Sequence, residues 1–265
     1  MIGNVAAVFL FEWKRAMTWT RKAWWLVLAA FPAFIAGLVR FTVPESPVSG
    51  DDLWRTLCIW LLFALCPMLV AMLGTLLWTS PAISAELERR SWVYLAVRPN
   101  GATAVLLGKY LAAVTWVIPT ALVGLTIAVP LCKTGDGLRV WWTMARLIVL
   151  SCPAYGAVFL MLGVIWPRRS LVLAVAYTLI FELIISFIPA IINKFSIQYR
   201  LRALAATWCE IKIPKGAASG VLMLIGDEPA WQHIVILLGM TFAFLIASML
   251  VLRASEFSSS FETDA

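Results

Sequence analysis

Histidine is nearly missing from this chain: His233 is the single one in 265 residues. A metal centre built on clustered imidazoles is therefore excluded. A serine or cysteine nucleophile would also lack its usual base, and no Gly-x-Ser-x-Gly sequence occurs. The five cysteines are an odd number with no Cys-x-x-Cys spacing, so neither a zinc site nor a disulfide framework is indicated. Cys58, Cys66 and Cys152 lie in apolar runs as packing residues, whereas Cys132 and Cys209 fall where they could pair. A phosphate-binding loop is missing as well. Gly101 and Gly108-Lys109 are separated by six residues where that loop needs four, and Tyr110 stands where it needs Ser or Thr.

Charge is the other scarcity. Only 13% of residues are charged while 62% are hydrophobic, against about 25% and about 45–50% in soluble domains. The mean hydropathy is +0.91. No globular core of this length hides that much apolar surface, so the solvent of this chain is lipid. The net charge of +7 is not gathered into one patch. It is spread over short clusters beside apolar runs (Lys14-Arg15, Arg21-Lys22, Arg89-Arg90, Arg168-Arg169), which suits anionic headgroups and not nucleic acid. Trp24, Trp25, Trp141, Trp142, Trp166 and Trp231 sit where a headgroup belt would lie.

A spanning helix needs about 20 mostly apolar residues. Six segments meet that need, over about 23–40, 57–80, 104–131, 141–166, 170–192 and 231–252. The fold class expected is an all-α integral membrane protein forming a single transmembrane domain. The first span is short unless Lys22 and Arg40 reach outward from its ends. No cleavage signature follows it, so it is expected to remain as an anchor. Residues 1–22 mix apolar, aromatic and basic side chains at helical spacing and predict a helix lying in the headgroup plane. The segment 193–230 is expected outside. It carries a basic stretch (Ile197–Arg202), a Pro214–Gly216 break and an apolar run, Ala217–Ile225, too short to cross and so interfacial or re-entrant. With both termini in the cytoplasm the inner segments are richer in Lys and Arg than the short outer loops. Lys194, Arg200, Arg202, Lys212 and Lys215 on the long outer segment reduce that asymmetry.

Two groups of residues stand out. Glu182 falls near the middle of the fifth span, where a carboxylate costs about 2.5–3.5 kcal/mol on insertion scales. Thr178 and Ser186, four residues to either side, extend it into a polar stripe. That stripe either lines a permeation route or dimer seam, or fastens the helix to a neighbour. Arg146 on the fourth span lies at a different depth from Glu182, and Pro119, Pro153 and Pro189 are candidate kinks. The second group is the loop between spans two and three, where 84–99 reads as a short charged helix with an apolar face, ended by Pro99. Such a helix belongs at the cytoplasmic surface, where another protein can grip it.

This loop resembles that of the permease subunits of type-2 ABC exporters, whose pattern is Glu-Arg-Glu-x-Gly-Thr-x-x-x-Leu-Leu-x-x-Pro, with Gly-Lys opening the next span. Glu86, Glu88, Leu95, Pro99, Gly108 and Lys109 fall at matching positions and Ser91 stands in for the Thr. Leu87, Arg90 and Ala96 depart from the pattern. The resemblance implies the membrane half of an ATP-driven exporter in the cell membrane, paired with a second permease subunit, identical or not. It implies an ABC ATPase subunit gripping Glu86, Glu88, Arg89, Arg90, Ser91 and Pro99. ATP and Mg would sit on that partner, and no cofactor, metal or catalytic residue is expected on this chain. The rival readings are a non-transporting membrane scaffold or channel, and an intramembrane enzyme.

Overall fold

The computed structural model describes residues 2–42, 51–88, 101–188, 191–211 and 228–254. Within them there is no strand, and the helices follow the apolar runs closely. Helix α1 is Ile2–Ala16 and α2 is Trp19–Thr42. A second long rod begins as α3 (Asp51–Phe63), passes through a π-helical stretch at Ala64–Val70, and continues as α4 (Ala71–Thr79). A 3-10 turn at Ser80–Ala82 then leads into α5, Ser84–Glu88. Both irregularities hold a proline, Pro67 and Pro81, whose missing N–H and bulky ring widen or tighten the turn. Helix α6 is Gly101–Cys132 and α7 is Gly137–Ile165.

Among the described residues five helical stretches are long and apolar enough to cross a membrane: Trp19–Thr42, Leu53–Glu86, Gly101–Cys132, Gly137–Ile165 and Ala230–Ala254, the last being α10. The first is longer than the run 23–40 and takes in Arg21 and Lys22 as well. The segment expected to cross at 170–192 is different in kind. It runs as α8 (Ser170–Tyr177), a π-helical turn (Thr178–Ile184) and a 3-10 turn (Ile185–Phe187), then leaves helical geometry at Ile188. Ile188 precedes Pro189, and the residue before a proline is pushed out of the α region. After a 3-10 turn at Ile191–Phe195 comes α9, Ile197–Trp208.

Helices α6 and α7 form the centre. Helix α7 packs against α4, α6, α8, α9 and α10, while α6 carries α1 and α2 on its other side. Of the apolar stretch of α7, 67% is buried, against 17% for α2 and for α10, so these two present most of their surface to lipid. Close approach comes from small residues, as membrane bundles require. A Cβ on Gly124 would lie 2.7 Å from the Ala29 carbonyl oxygen and 3.1 Å from Pro32 Cγ, so only glycine lets α2 lie this near α6.

At the end of the bundle holding the α6–α7 turn, Arg55 ties three elements together. It donates to Asp136 Oδ2 (3.0 and 2.7 Å) and to the Cys209 carbonyl (3.1 Å). Trp54 Nε1 donates to the Cys132 carbonyl at 3.0 Å. Cys132 and Cys209 are free thiols, buried and unpaired with each other.

The Arg55 hydrogen bond holds the Asp136 carboxyl below its ordinary value. A depressed carboxylate stabilises the fold above the unfolded-state range near 4 and loses that contribution as pH falls through the lower folded value. Arg55→Ala should cost about 1.5–3 kcal/mol at neutral pH, the range for hydrogen bonds to charged groups. The difference from wild type should shrink below pH 4 in thermal unfolding in detergent.

Candidate functional site

The first site lies where α6 begins. Two turns into that helix, Gly108 lets α1 rest directly on the backbone, because a Cβ there would meet Val8 Cγ1 at 2.7 Å and Phe9 N at 3.2 Å. Lys109 follows, only 9% exposed. An ammonium at such a position must be fully partnered. Its Nζ donates to the Ala82 carbonyl (2.8 Å) and to Glu86 Oε1 (2.5 Å), and it stands 3.8 Å from Glu12 Oε1. Glu12 also lies 3.6 Å from Arg15 on its own helix. One lysine therefore joins α1, the root of the loop beyond α4, and α6. Aromatic rings back the junction: Trp13 meets Trp116 edge-on at 5.2 Å, and Trp78 meets Trp116 at 5.8 Å.

Of the residues singled out in this loop, Glu86 is buried at 8% exposure and turned toward Lys109. The first turn of the expected 84–99 helix is present as α5. The Glu88 side chain and Arg89, Arg90, Ser91 and Pro99 lie outside the described residues. The sequence pattern gave Gly108 and Lys109 only by resemblance. A lone lysine inside an apolar run was the physical signal that a carboxylate partner had to be near.

The second site is the polar stripe. Thr178, Glu182 and Ser186 are all buried against protein, Glu182 completely. The reason is α9. Its first backbone N–H groups have no helical partner and point into the bundle. Glu182 Oε2 accepts from Gln198 N at 3.0 Å, and Oε1 accepts from Ile197 N at 3.4 Å and from the Tyr177 hydroxyl at 3.0 Å. Ser196 caps the same end by accepting from Tyr199 N at 3.2 Å. The carboxylate also faces the positive end of the α9 dipole. Ser186 donates to the Glu182 carbonyl, and Arg202 Nη2 donates to the Ser186 carbonyl at 2.6 Å. Thr178 takes no part and bonds back to the Ala174 carbonyl at 2.9 Å.

Within the segment 193–230, the helix α9 is thus packed inside the protein. Residues Ile197 to Ala206 of α9 are buried, Arg200 and Arg202 included. Arg200 Nη1 meets Glu228 Oε2 at 2.5 Å and His233 Nδ1 at 3.2 Å. Lys194 reaches the other oxygen of Glu228 at 2.8 Å. These contacts, Lys194 first, hold the Glu228 carboxyl below its ordinary value. Nothing in the local sequence marked them, because the partners are some thirty residues apart. The apolar run Ala217–Ile225 lies outside the described residues. Arg146 lies over the Trp208 ring at 5.8 Å, away from Glu182.

Among the described residues no three His, Cys, Asp or Glu side chains gather in a way that could hold a metal ion. No protein-family model matches the chain, and no curated protein resembles it significantly.

Glu182→Leu should leave the N–H groups of Ile197 and Gln198 unpaired inside the bundle and cost about 2–5 kcal/mol. Glu182→Gln keeps an acceptor and should cost less than half as much. Thermal unfolding of the two variants in detergent gives the comparison.

Proposed function

We propose that this chain is the membrane-spanning permease subunit of an ATP-driven exporter of the type-2 ABC kind. On this reading the five long apolar helices and the composite segment at 170–187 make six crossings, with both termini in the cytoplasm. Helix α1 lies in the inner headgroup layer. The subunit pairs with a second permease subunit, and a separate ABC ATPase docks below, holding ATP and Mg. The chain does no chemistry itself.

The observation that carries the reading is the Lys109 junction. The expected handle for the ATPase springs from Glu86, and Glu86 is fastened through Lys109 to α6 and to Glu12 of α1. A push on the 84–99 helix would then reach α6 through the Glu86–Lys109 pair at 2.5 Å and α1 through Glu12, 3.8 Å from the same ammonium. In this arrangement Glu86 anchors the handle, while Glu88, Arg89, Arg90 and Ser91 are left to meet the partner. The cargo stays open: among the described residues no ligand cluster in the apolar spans names it.

Affinity purification of the chain co-expressed with any ABC ATPase encoded beside it should retain that ATPase. Glu88→Lys with Arg89→Glu should lower retention at least tenfold, and an empty pull-down with wild type refutes the reading. Glu86→Lys should destabilise the subunit by about 3–5 kcal/mol, the range for breaking a buried pair. Adding Lys109→Glu should recover part of that loss, only part because Glu12 then faces a like charge. Ser91→Cys should react with a membrane-impermeant maleimide from the cytoplasmic side alone.

A further inference from the structure

Beside the Lys109 junction lies a cavity of about 520 Å³ bounded by α1, α2, α4 and α6. That volume is within the range of ligand sites, about 300–1,000 Å³. Its lining changes character along the helix axes, in the same direction on three helices. On α2 it begins with Arg21 and goes on to Trp24 and Leu28, one and two turns further in. On α6 it begins with Lys109 and goes on to Ala112 and Ala113. On the rod of α4 the order is reversed in sequence, as an antiparallel neighbour requires: Leu77 and Trp78 lie deep, and Pro81 and Ala82 lie at the charged end. A site that is charged at one end and apolar over the rest fits an amphiphile standing parallel to the helices.

The charges fix its sign. Lys109 is taken up by Glu86, and Arg15 stands beside Glu12. Arg21 lies over the Trp78 ring at 4.8 Å, with no carboxylate in ion-pair contact among the described residues. Among the described residues three cations at this end thus meet two carboxylates, and Arg21 is the one in ion-pair contact with neither. A guanidinium on an aromatic face presents its N–H edge to a phosphate and is the group best shaped to hold one.

We propose that this cavity binds one singly anionic glycerophospholipid, its phosphodiester on Arg21 and one acyl chain along Trp24, Leu28 and Leu77. The lipid braces α1 and α2 against α4 and α6 at the end where the handle is rooted. The proposal stands on the cavity alone and does not need the exporter reading.

The test uses the full chain purified in detergent from an equal mixture of phosphatidylglycerol and phosphatidylcholine, read by native mass spectrometry. Wild type should retain one phosphatidylglycerol in at least fivefold excess over phosphatidylcholine. Arg21→Gln should abolish the excess. Lys22→Gln, which removes the same charge one residue away on a different groove, should keep it. Leu28→Trp fills the apolar part without touching charge and should also abolish it, so the test survives if Arg21→Gln fails to fold. In nanodiscs, phosphatidylglycerol should raise the Tm of wild type by several degrees over phosphatidylcholine. Equal retention of the two lipids overturns the proposal, as does loss of the excess in Lys22→Gln to the same extent. A rise in Tm with millimolar inorganic phosphate equal to that with phosphatidylglycerol overturns it too, and would assign the site to a soluble anion.

Discussion

The constraint on which the rest depends is that polar groups inside an apolar bundle must be met by protein. It acts most sharply at α9. Ten of its twelve residues, Ile197 to Ala206, are buried, so its first turn opens inside the protein. The buried end is answered by the Glu182 carboxylate, the Ser196 hydroxyl and the positioning of Ser186 by Arg202. Glu182 in turn is supplied by a stretch of π-helix, whose wider turn is a common feature where a helix carries a special residue. The break in α8 and the burial of α9 are thus two sides of one requirement.

The same requirement explains where the remaining charges went. Lys109 draws Glu86 and Glu12 to one end of the bundle, and Arg55 draws Asp136 and the Cys209 carbonyl to the other. Each junction joins elements far apart in sequence, and each lies at an end of the central pair α6–α7. Between them lies one continuous apolar core, with Leu62, Leu125, Leu147, Ile148 and Phe159 fully buried.

On the two proposals, the junction around Lys109 is where partner and lipid would meet. Glu12 and Lys109, which share that junction with Glu86, line one side of a cavity whose other walls include Trp24 and Trp78. A lipid held there would touch α1, α2, α4 and α6, the elements that a push on the 84–99 segment must move. Membrane composition and partner motion would then act on the same few side chains.

What the sequence determined by itself was solvent and outline. Apolar runs of twenty residues demand an apolar surround, lipid or packed protein, and this is a local property that sequence displays directly. Hence the helices at 19–42, 101–132, 137–165 and 230–254 lie close to the runs that foretold them, and α1 stands apart from α2. Tertiary structure alone decided which charges pair. Lys109 meets carboxylates 23 and 97 residues away in sequence, and Glu182 meets backbone 15 and 16 residues on. A buried charge announces that it needs a partner, but the partner's identity depends on which helices lie side by side. That choice is made by close packing at positions such as Gly108 and Gly124, whose neighbours no local pattern records.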